Sequence, residues 1–343
     1  MGESRSRRNF LLRAAALSTV LPSAVLAQEP GRIYVIGMFW PSSRTPPGRP
    51  PLGPAAVKAL ARHGFTEGVN VRIEREFGNV PPEDLNDDAR REAHLRAAAS
   101  RLLARNPDVI LAFGGAEVLK SLTRTIPIIF TREENVEERG LVKSLNRPGG
   151  NVTGVVVFYD EIAEKRIEFI RELLPNAKRA GVISNYAFFR RYWERDFPAR
   201  YRAAARRLGL ELIDGDVSAH GDDPDATFRT VLASRPEAFM VFGTLVTGHG
   251  HLRTWPEYQR LHRIPYIGDG SSAKGVVNYG FDLEDHARRT WEMAVRMLKG
   301  ARPEDTPVDR DTRFILTVDP KGAREIGIEI PASIMIRANV LVG

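Results

Sequence analysis

The sequence predicts an α/β protein made of two doubly wound lobes, each a mostly parallel sheet covered by helices on both faces. Three observations predict it. Short apolar runs alternate with amphipathic helical stretches almost to the end of the 343 residues. The alternation falls into two successive series, each long enough to bury a core of its own. Residues 126–155 read as one step of an open parallel sheet. They give a buried-type strand over 126–130, a polar loop, a short amphipathic helix, a turn and a second strand. The turn is Asn146, Arg147, Pro148, Gly149 and Gly150, where proline fixes one backbone angle and the glycines permit positive φ.

The elements follow in order. Residues 33–38 make an apolar strand, 54–62 a short helix stopped by Gly64, and 69–77 an alternating strand. A helix over 87–105 places Leu95, Ala98, Ala99, Leu102 and Leu103 on one stripe before Asn106 and Pro107 end it. Residues 109–113 form a buried strand running into Gly114 and Gly115, where another helix begins. In the second series a helix over 160–174 turns Ile162, Ile167, Ile170 and Leu174 inward. A strand over 179–185 and a helix over 193–208 come next. Strands at 210–213 and 238–243 flank a helix over 224–234, and further strands lie at 264–268 and 276–281. Asp282 then caps a helix whose stripe is Leu283, Ala287, Trp291, Ala294 and Leu298, with Gly300 as its stop. Residues 301–313 are a proline-rich, charged connector, followed by a strand over 314–318 and a small helix near 320–326.

Residues 1–27 read as an export signal. Arg7 and Arg8 precede an apolar run over 14–26, with Val25 and Ala27 at the −3 and −1 positions of a cut before Gln28. Paired arginines followed by Phe10 and Leu11 favour the twin-arginine route, with an ordinary Sec signal as the alternative. The chain has no cysteine, so neither a lipid anchor nor a disulfide is expected, and core packing alone must hold the mature protein. No later segment is long and apolar enough to span a bilayer, which predicts a periplasmic chain without membrane insertion.

Formal net charge is +7, of which four arginines against Glu3 place +3 in residues 1–27 and leave +4 for the rest. The arginine pairs at 90–91, 190–191, 206–207 and 288–289 have acidic neighbours and no interleaved aromatics. Solvated helix faces account for them, and nucleic acid is excluded as a partner.

The run G-L-V-x-S-L-x-R-P-G-G-N-V-T-G over residues 140–154 closely resembles a signature of the ABC-transporter substrate-binding protein family that includes tryptophan-binding lipoproteins. The closing segment F-x-L-x-V-x-P-K-x-A-x-x-x-G-I-x-I-P over 314–331, with R-A-N at 337–339, is also similar to that family, so the resemblance covers nearly all of the mature chain. It implies two Rossmann-like lobes with a hinge, in type I periplasmic-binding-protein architecture, the chain crossing between lobes three times. The crossings are expected near 157–160, 275–280 and 301–313. Lobe 1 is then 32–157 plus about 280–300, and lobe 2 is 158–279 plus about 313–343. The resemblance further implies a non-enzymatic protein that hands a small-molecule solute to an ABC permease with a cytoplasmic ATPase. Neither cofactor nor metal is expected, and a monomer suffices for the role.

Ligands of open α/β sheets bind beyond the carboxyl ends of the strands, so the residues just after each strand are the candidates. Phe39 and Trp40 offer an aromatic wall, Trp40 the better one, with packing inside the lobe as the competing account. Gly114, Gly115 and Ala116 open a helix whose amides can cradle a carboxylate, with plain turn glycines as the competing account. Family members usually carry a hydroxyl here, which this chain lacks. After the next strand come Thr131, Arg132, Glu133, Glu134 and Asn135, where the family usually has small residues and an Asp-Pro pair. Arg132 could clamp a carboxylate and a glutamate could hold an ammonium group, against the alternative of a surface Arg–Glu pair. From the second lobe come Asn185, Tyr186, Thr244, Asp269, Gly270 and Ser271, with Asp269 as anchor for a ligand amine, against the alternative of an aspartate that caps the next turn. The expected ligand is an amino acid or related small carboxylate, aromatic ones included.

Two enzyme readings are weaker. His249, His251 and His262 are closely spaced or nearby imidazoles without an assembled carboxylate set, which fits a surface loop better than a metal site. Gly270-Ser271-Ser272-Ala273-Lys274 lacks the final glycine of a nucleophile elbow. The alternatives are an exported α/β enzyme acting on a small carboxylate and a sensory binding protein for a membrane receptor.

Overall fold

Runs of β-branched and aromatic residues bounded by turn residues become strands, and the computed structural model pairs them into two sheets. It describes residues 31–41, 52–84, 87–184, 197–217, 224–242, 254–270 and 275–343. The first sheet holds β1 (Tyr34–Trp40), β2 (Val71–Phe77), β3 (Val109–Ala112), β4 (Ile128–Glu133), β5 (Val152–Val156) and the late strand β11 (Asp309–Arg310). Its order is β11-β5-β4-β3-β1-β2 and every pair is parallel.

Period-two alternation sends side chains of β1 to opposite faces. Ile36 and Met38 enter a core with Leu60 of α1 (Pro54–Ala61) and Trp291 and Val295 of α8 (Leu283–Leu298). Phe39 enters the other core, with Leu95 and Leu102 of α2 (Asp88–Leu103) and Leu119 of α3 (Ala116–Leu122). The Asp87 carboxylate caps α2 by accepting from the Arg90 N–H at 3.0 Å.

The second sheet holds β6 (Arg179–Ser184), β7 (Glu211–Asp216), β8 (Ala238–Phe242), β9 (Tyr266–Gly268), β10 (Val277–Phe281), β12 (Phe314–Val318) and β13 (Val340–Leu341). Its order is β13-β12-β10-β9-β8-β6-β7, parallel except where β12 runs against β10. One face packs on α4 (Tyr159–Leu173), α5 (Phe197–Arg207), α9 (Pro320–Glu325) and α10 (Ala332–Arg337) through Ile167, Ile170, Ala204, Ala323 and Ile334. The other packs on α6 (Pro224–Ala233) and α7 (Thr254–His262) through Phe228, Val231 and Trp255. Two doubly wound sheets of this kind are the two-lobed architecture the sequence predicts.

The chain passes between the sheets after β5, at Asp282 between β10 and α8, and over residues 311–313 between β11 and β12. A small cluster of Val157, Ile162 and Phe281, flanked by Tyr279 and Phe314, joins the passages. The Asp282 N–H donates to the Arg313 carbonyl at 2.9 Å, and its carboxylate caps α8 through the N–H groups of Glu284 (3.0 Å) and Asp285 (3.2 Å).

Three expectations need correction. The middle passage lies at Asp282 rather than 275–280, because β10 is fully part of the second sheet, bonded to β9 and β12. Most of the 301–313 connector belongs to the first lobe, where Val308 donates to the Leu145 carbonyl at 2.7 Å and β11 adds an edge strand. The short helix expected in the signature is a chain of turns instead. The Arg139 N–H donates to the Asn135 carbonyl (2.9 Å), but the Leu145 N–H turns to the Glu137 carboxylate and Lys143 to the Pro148 carbonyl. Side-chain and turn bonds there outcompete a second helical turn.

Candidate functional site

Three aromatic rings stack at the carboxyl edge of the first sheet. Trp40 ends β1, Phe77 ends β2 directly opposite it in register, and Phe113 follows β3. The Trp40 ring lies 4.8 Å from Phe77 at 9° and 4.6 Å from Phe113 at 10°. Trp40 and Phe113 are half-buried, so the stack carries a partly open apolar surface. Phe77 and Phe113 were not among the sequence candidates. Phe39 corrects an expectation: its side chain points through the sheet into the core and is fully buried, so it supports the edge without lining it.

Beside the stack the chain enters α3 through Gly114 (φ +108) and Gly115 (φ +69), a backbone open to glycine at little cost. A Cβ on Gly114 would sit 3.0 Å from Pro41 Cγ, and one on Gly115 3.0 Å from Phe39 Cε1. The glycines therefore let the start of α3 settle onto the end of β1. Ala116 is fully buried, which leaves only its backbone to meet a ligand.

At the end of β4 the ladder with β5 shifts register between Thr131 and Glu133. Arg132 takes φ +58 and Asn135 φ +51, a left-handed conformation that costs a side-chain-bearing residue about 1 kcal/mol or more. Such outliers gather at ligand sites, and the half-buried Arg132 sits on the bulge. Thr131 does not join it. Its hydroxyl bonds His286 Nε2 inside the lobe, and His286 Nδ1 lies 2.7 Å from the Asp311 carboxylate. These three side chains are the residue types of an acyl-transfer triad, yet Thr131, His286 and Asp311 are 4%, 4% and 6% exposed. A hydroxyl enclosed to that degree meets no substrate carbonyl.

Glu133, 1% exposed, bonds Arg139 at 2.6 Å, and Arg139 also reaches Glu117. Oε1 of Glu133 has no hydrogen-bond partner among the described residues. Burial pushes this carboxyl from 4.5 up to about 7, outweighing the attraction of Arg139, while Glu117 adds repulsion. Desolvation lowers Arg139, but Glu133 and Glu117 more than offset it and its pKa is raised.

The Glu133 shift has a sign in stability. Between about 4.5 and about 7 the folded chain holds a proton there that the unfolded chain has lost. Stability from this group therefore falls as pH rises through that window. Glu133→Gln, which cannot ionise, should flatten that part of the profile in urea unfolding from pH 4.5 to 8. Parallel profiles for parent and variant would contradict the assignment.

In the second lobe Asp269 and Gly270 directly follow β9, with Gly270 at φ +92. The phenol of buried Tyr266 is raised well above 10, chiefly by desolvation and then by the Asp269 charge. Asn185, Tyr186, Thr244 and Ser271, with His249 and His251, lie outside the described residues. His262 closes α7 with its ring 5.4 Å from Phe228. The arginine pairs meet acidic neighbours: Arg90 meets Asp84, Arg91 meets Asp88, Arg207 meets Glu164, and Arg288 and Arg289 share Asp285, while the pair at 190–191 lies outside the described residues. Among the described residues no helix is long and apolar enough to cross a membrane.

Residues 58–342 match the model of the family described as ABC transporter substrate binding protein. The chain belongs to that family. A tyrosine-binding protein of Clostridioides difficile (strain R20291) is 28% identical over 273 residues, covering 77% of this chain and 73% of that one. Among solved structures, the ABC domain from Streptococcus pneumonia in complex with L-Trp is similar at TM-score 0.70 and 24% identity, covering 90% of this chain and all of that one. A conserved domain protein from Vibrio cholerae O1 biovar El Tor is similar at TM-score 0.71 and 21% identity, covering 91% and 100%. A ligand-free, open substrate-binding protein with adhesive properties from Clostridium difficile follows at 0.59 and 22%, covering 90% and 99%. These likenesses establish the type I periplasmic-binding fold. As an ABC transporter substrate-binding protein, the chain serves a small-molecule solute and an ABC permease, and the site at its sheet edges is read in that light.

Proposed function

We propose that this ABC transporter substrate-binding protein is exported to the periplasm and, as a monomer, captures an amino acid or related small carboxylate between its lobes. It then delivers the solute unchanged to an ABC permease driven by a cytoplasmic ATPase, with no metal, cofactor or turnover of its own. The lobes are residues 31–157 with 283–310, and 158–281 with 314–343, with closure a hinge rotation at the three passages.

One observation carries the reading: the stack of Phe77, Trp40 and Phe113 shares a sheet edge with the Gly114–Gly115 turn and the Arg132 bulge. The rings suit an apolar or aromatic side chain. The start of α3 and Arg132 suit a carboxylate, and Asp269 suits an ammonium group. The tyrosine-binding relative at 28% identity supports an aromatic amino acid.

A thermal-shift screen of amino acids, organic acids and aromatic acids tests the proposal. A ligand at about a hundred times its dissociation constant should stabilise the protein by roughly 2.7 kcal/mol. Failure of every amino acid and small carboxylate to raise the midpoint would remove the ligand class. With the stabilising compound in hand, Arg132→Ala and Asp269→Ala should each weaken calorimetric affinity by roughly tenfold or more, the loss of a charged hydrogen bond. Unchanged affinity in both variants means that the anchors are misassigned.

A further inference from the structure

The carboxyl end of β4 is tied to all three interlobe passages. The Glu133 carbonyl accepts from the Val157 N–H at 3.2 Å, at the start of the first passage. Thr131 bonds His286, which stands in the first turn of α8, and the His286 N–H donates to the Asp282 carbonyl at 2.9 Å, at the second. His286 Nδ1 lies 2.7 Å from Asp311, the first residue of the third, and the Asp311 N–H donates to the Val156 carbonyl at 3.2 Å. One tautomer satisfies the chain. Nδ1–H donates to the Asp311 carboxylate, while Nε2 accepts from the Thr131 hydroxyl.

We propose that Thr131–His286–Asp311 is a positioning device that couples the ligand-facing bulge at Arg132 to the hinge and so sets the resting opening of the lobes. Thr131 directly precedes Arg132, so a ligand that draws on the bulge draws on His286. His286 in turn holds the third passage through Asp311. A bonded chain this deeply buried resists partial rupture, because each group left unpaired loses its solvation without replacement. Rotation of the second lobe and displacement of the bulge are thereby linked, and the linkage runs in both directions. The coupling rests on the proposed function only in taking Arg132 to meet the ligand.

The absence of cysteine makes the test clean. Val57→Cys on α1, 53% exposed, and Leu261→Cys on α7, 75% exposed, place one spin label on each lobe of the full mature chain. Pulsed paramagnetic resonance then reads the interlobe distance without ligand. Thr131→Val, close in shape but without the hydroxyl, and Asp311→Asn should shift or broaden that distribution. Both should also weaken L-tyrosine, as probe, by about threefold to thirtyfold. Thr131→Ser, which keeps the hydroxyl, should restore the parent distribution. If Thr131→Val and Asp311→Asn lower the thermal midpoint yet leave the ligand-free distances as in the parent, the chain is merely structural and the proposal is overturned. The distance measurement needs no ligand, so failure of the unsubstituted protein to bind L-tyrosine counts against the proposed ligand alone.

Discussion

Gly154→Ala should lower the unfolding free energy by about 3 kcal/mol or more, at the upper end of what overpacking usually costs. Gly154 pairs with Phe130 in the ladder between β4 and β5. An added Cβ would stand 2.2 Å from the Phe130 carbonyl oxygen and 2.4 Å from its ring carbon Cδ2. The carbonyl belongs to an interior strand and the ring is fully buried, so neither can yield without moving β4. Gly150 supplies the control from the same motif, since nothing lies within 4 Å of a Cβ built there. Gly150→Ala should change stability by no more than about 0.5 kcal/mol. Equal costs for the two in denaturant unfolding would contradict the packing explanation of the signature's last glycine.

Trp40→Ala should remove stability and affinity together. Each of its two stacked contacts is worth about 0.5–1.5 kcal/mol beyond area burial, and with the lost apolar burial the total is about 3 kcal/mol. Affinity for the amino acid found by thermal shift should fall about tenfold or more, because the middle ring of the stack is gone. Phe39→Leu is the counterpart. It opens space in the core and should lower the midpoint, yet leave calorimetric affinity within about twofold, since that ring faces α2 and α3. Loss of affinity in Phe39→Leu and not in Trp40→Ala would reverse the assignment of wall and core.

The architecture was legible because its signals are local. Apolar runs, the Asp282 cap, the Asn106–Pro107 stop and the glycine stops are each written within a few residues, and the long helices α2 and α8 lie where those signals place them. What escaped the sequence depends on register and parity. Phe77 and Phe113 join Trp40 only because three separated strands bring their ends into one row. Thr131 turns inward and Arg132 takes its left-handed bulge where the strand pairing slips, a shift no alternation pattern foretells. His286 lies on the helix face that meets β4, and its partners are 155 and 25 residues away. Glu133 pairs with Arg139, not with neighbouring Arg132, because the turns after β4 fold the later arginine back over it. The middle passage escaped by two residues, since Gly280 belongs to a strand rather than to a linker.

Small-angle X-ray scattering of the mature protein, alone and saturated with the solute that stabilises it most, measures the clamp itself. The radius of gyration should fall on saturation, and mass spectrometry of the recovered solute should return the compound unaltered. An unchanged radius with the solute bound, or a solute that comes back chemically converted, would contradict capture by closing lobes.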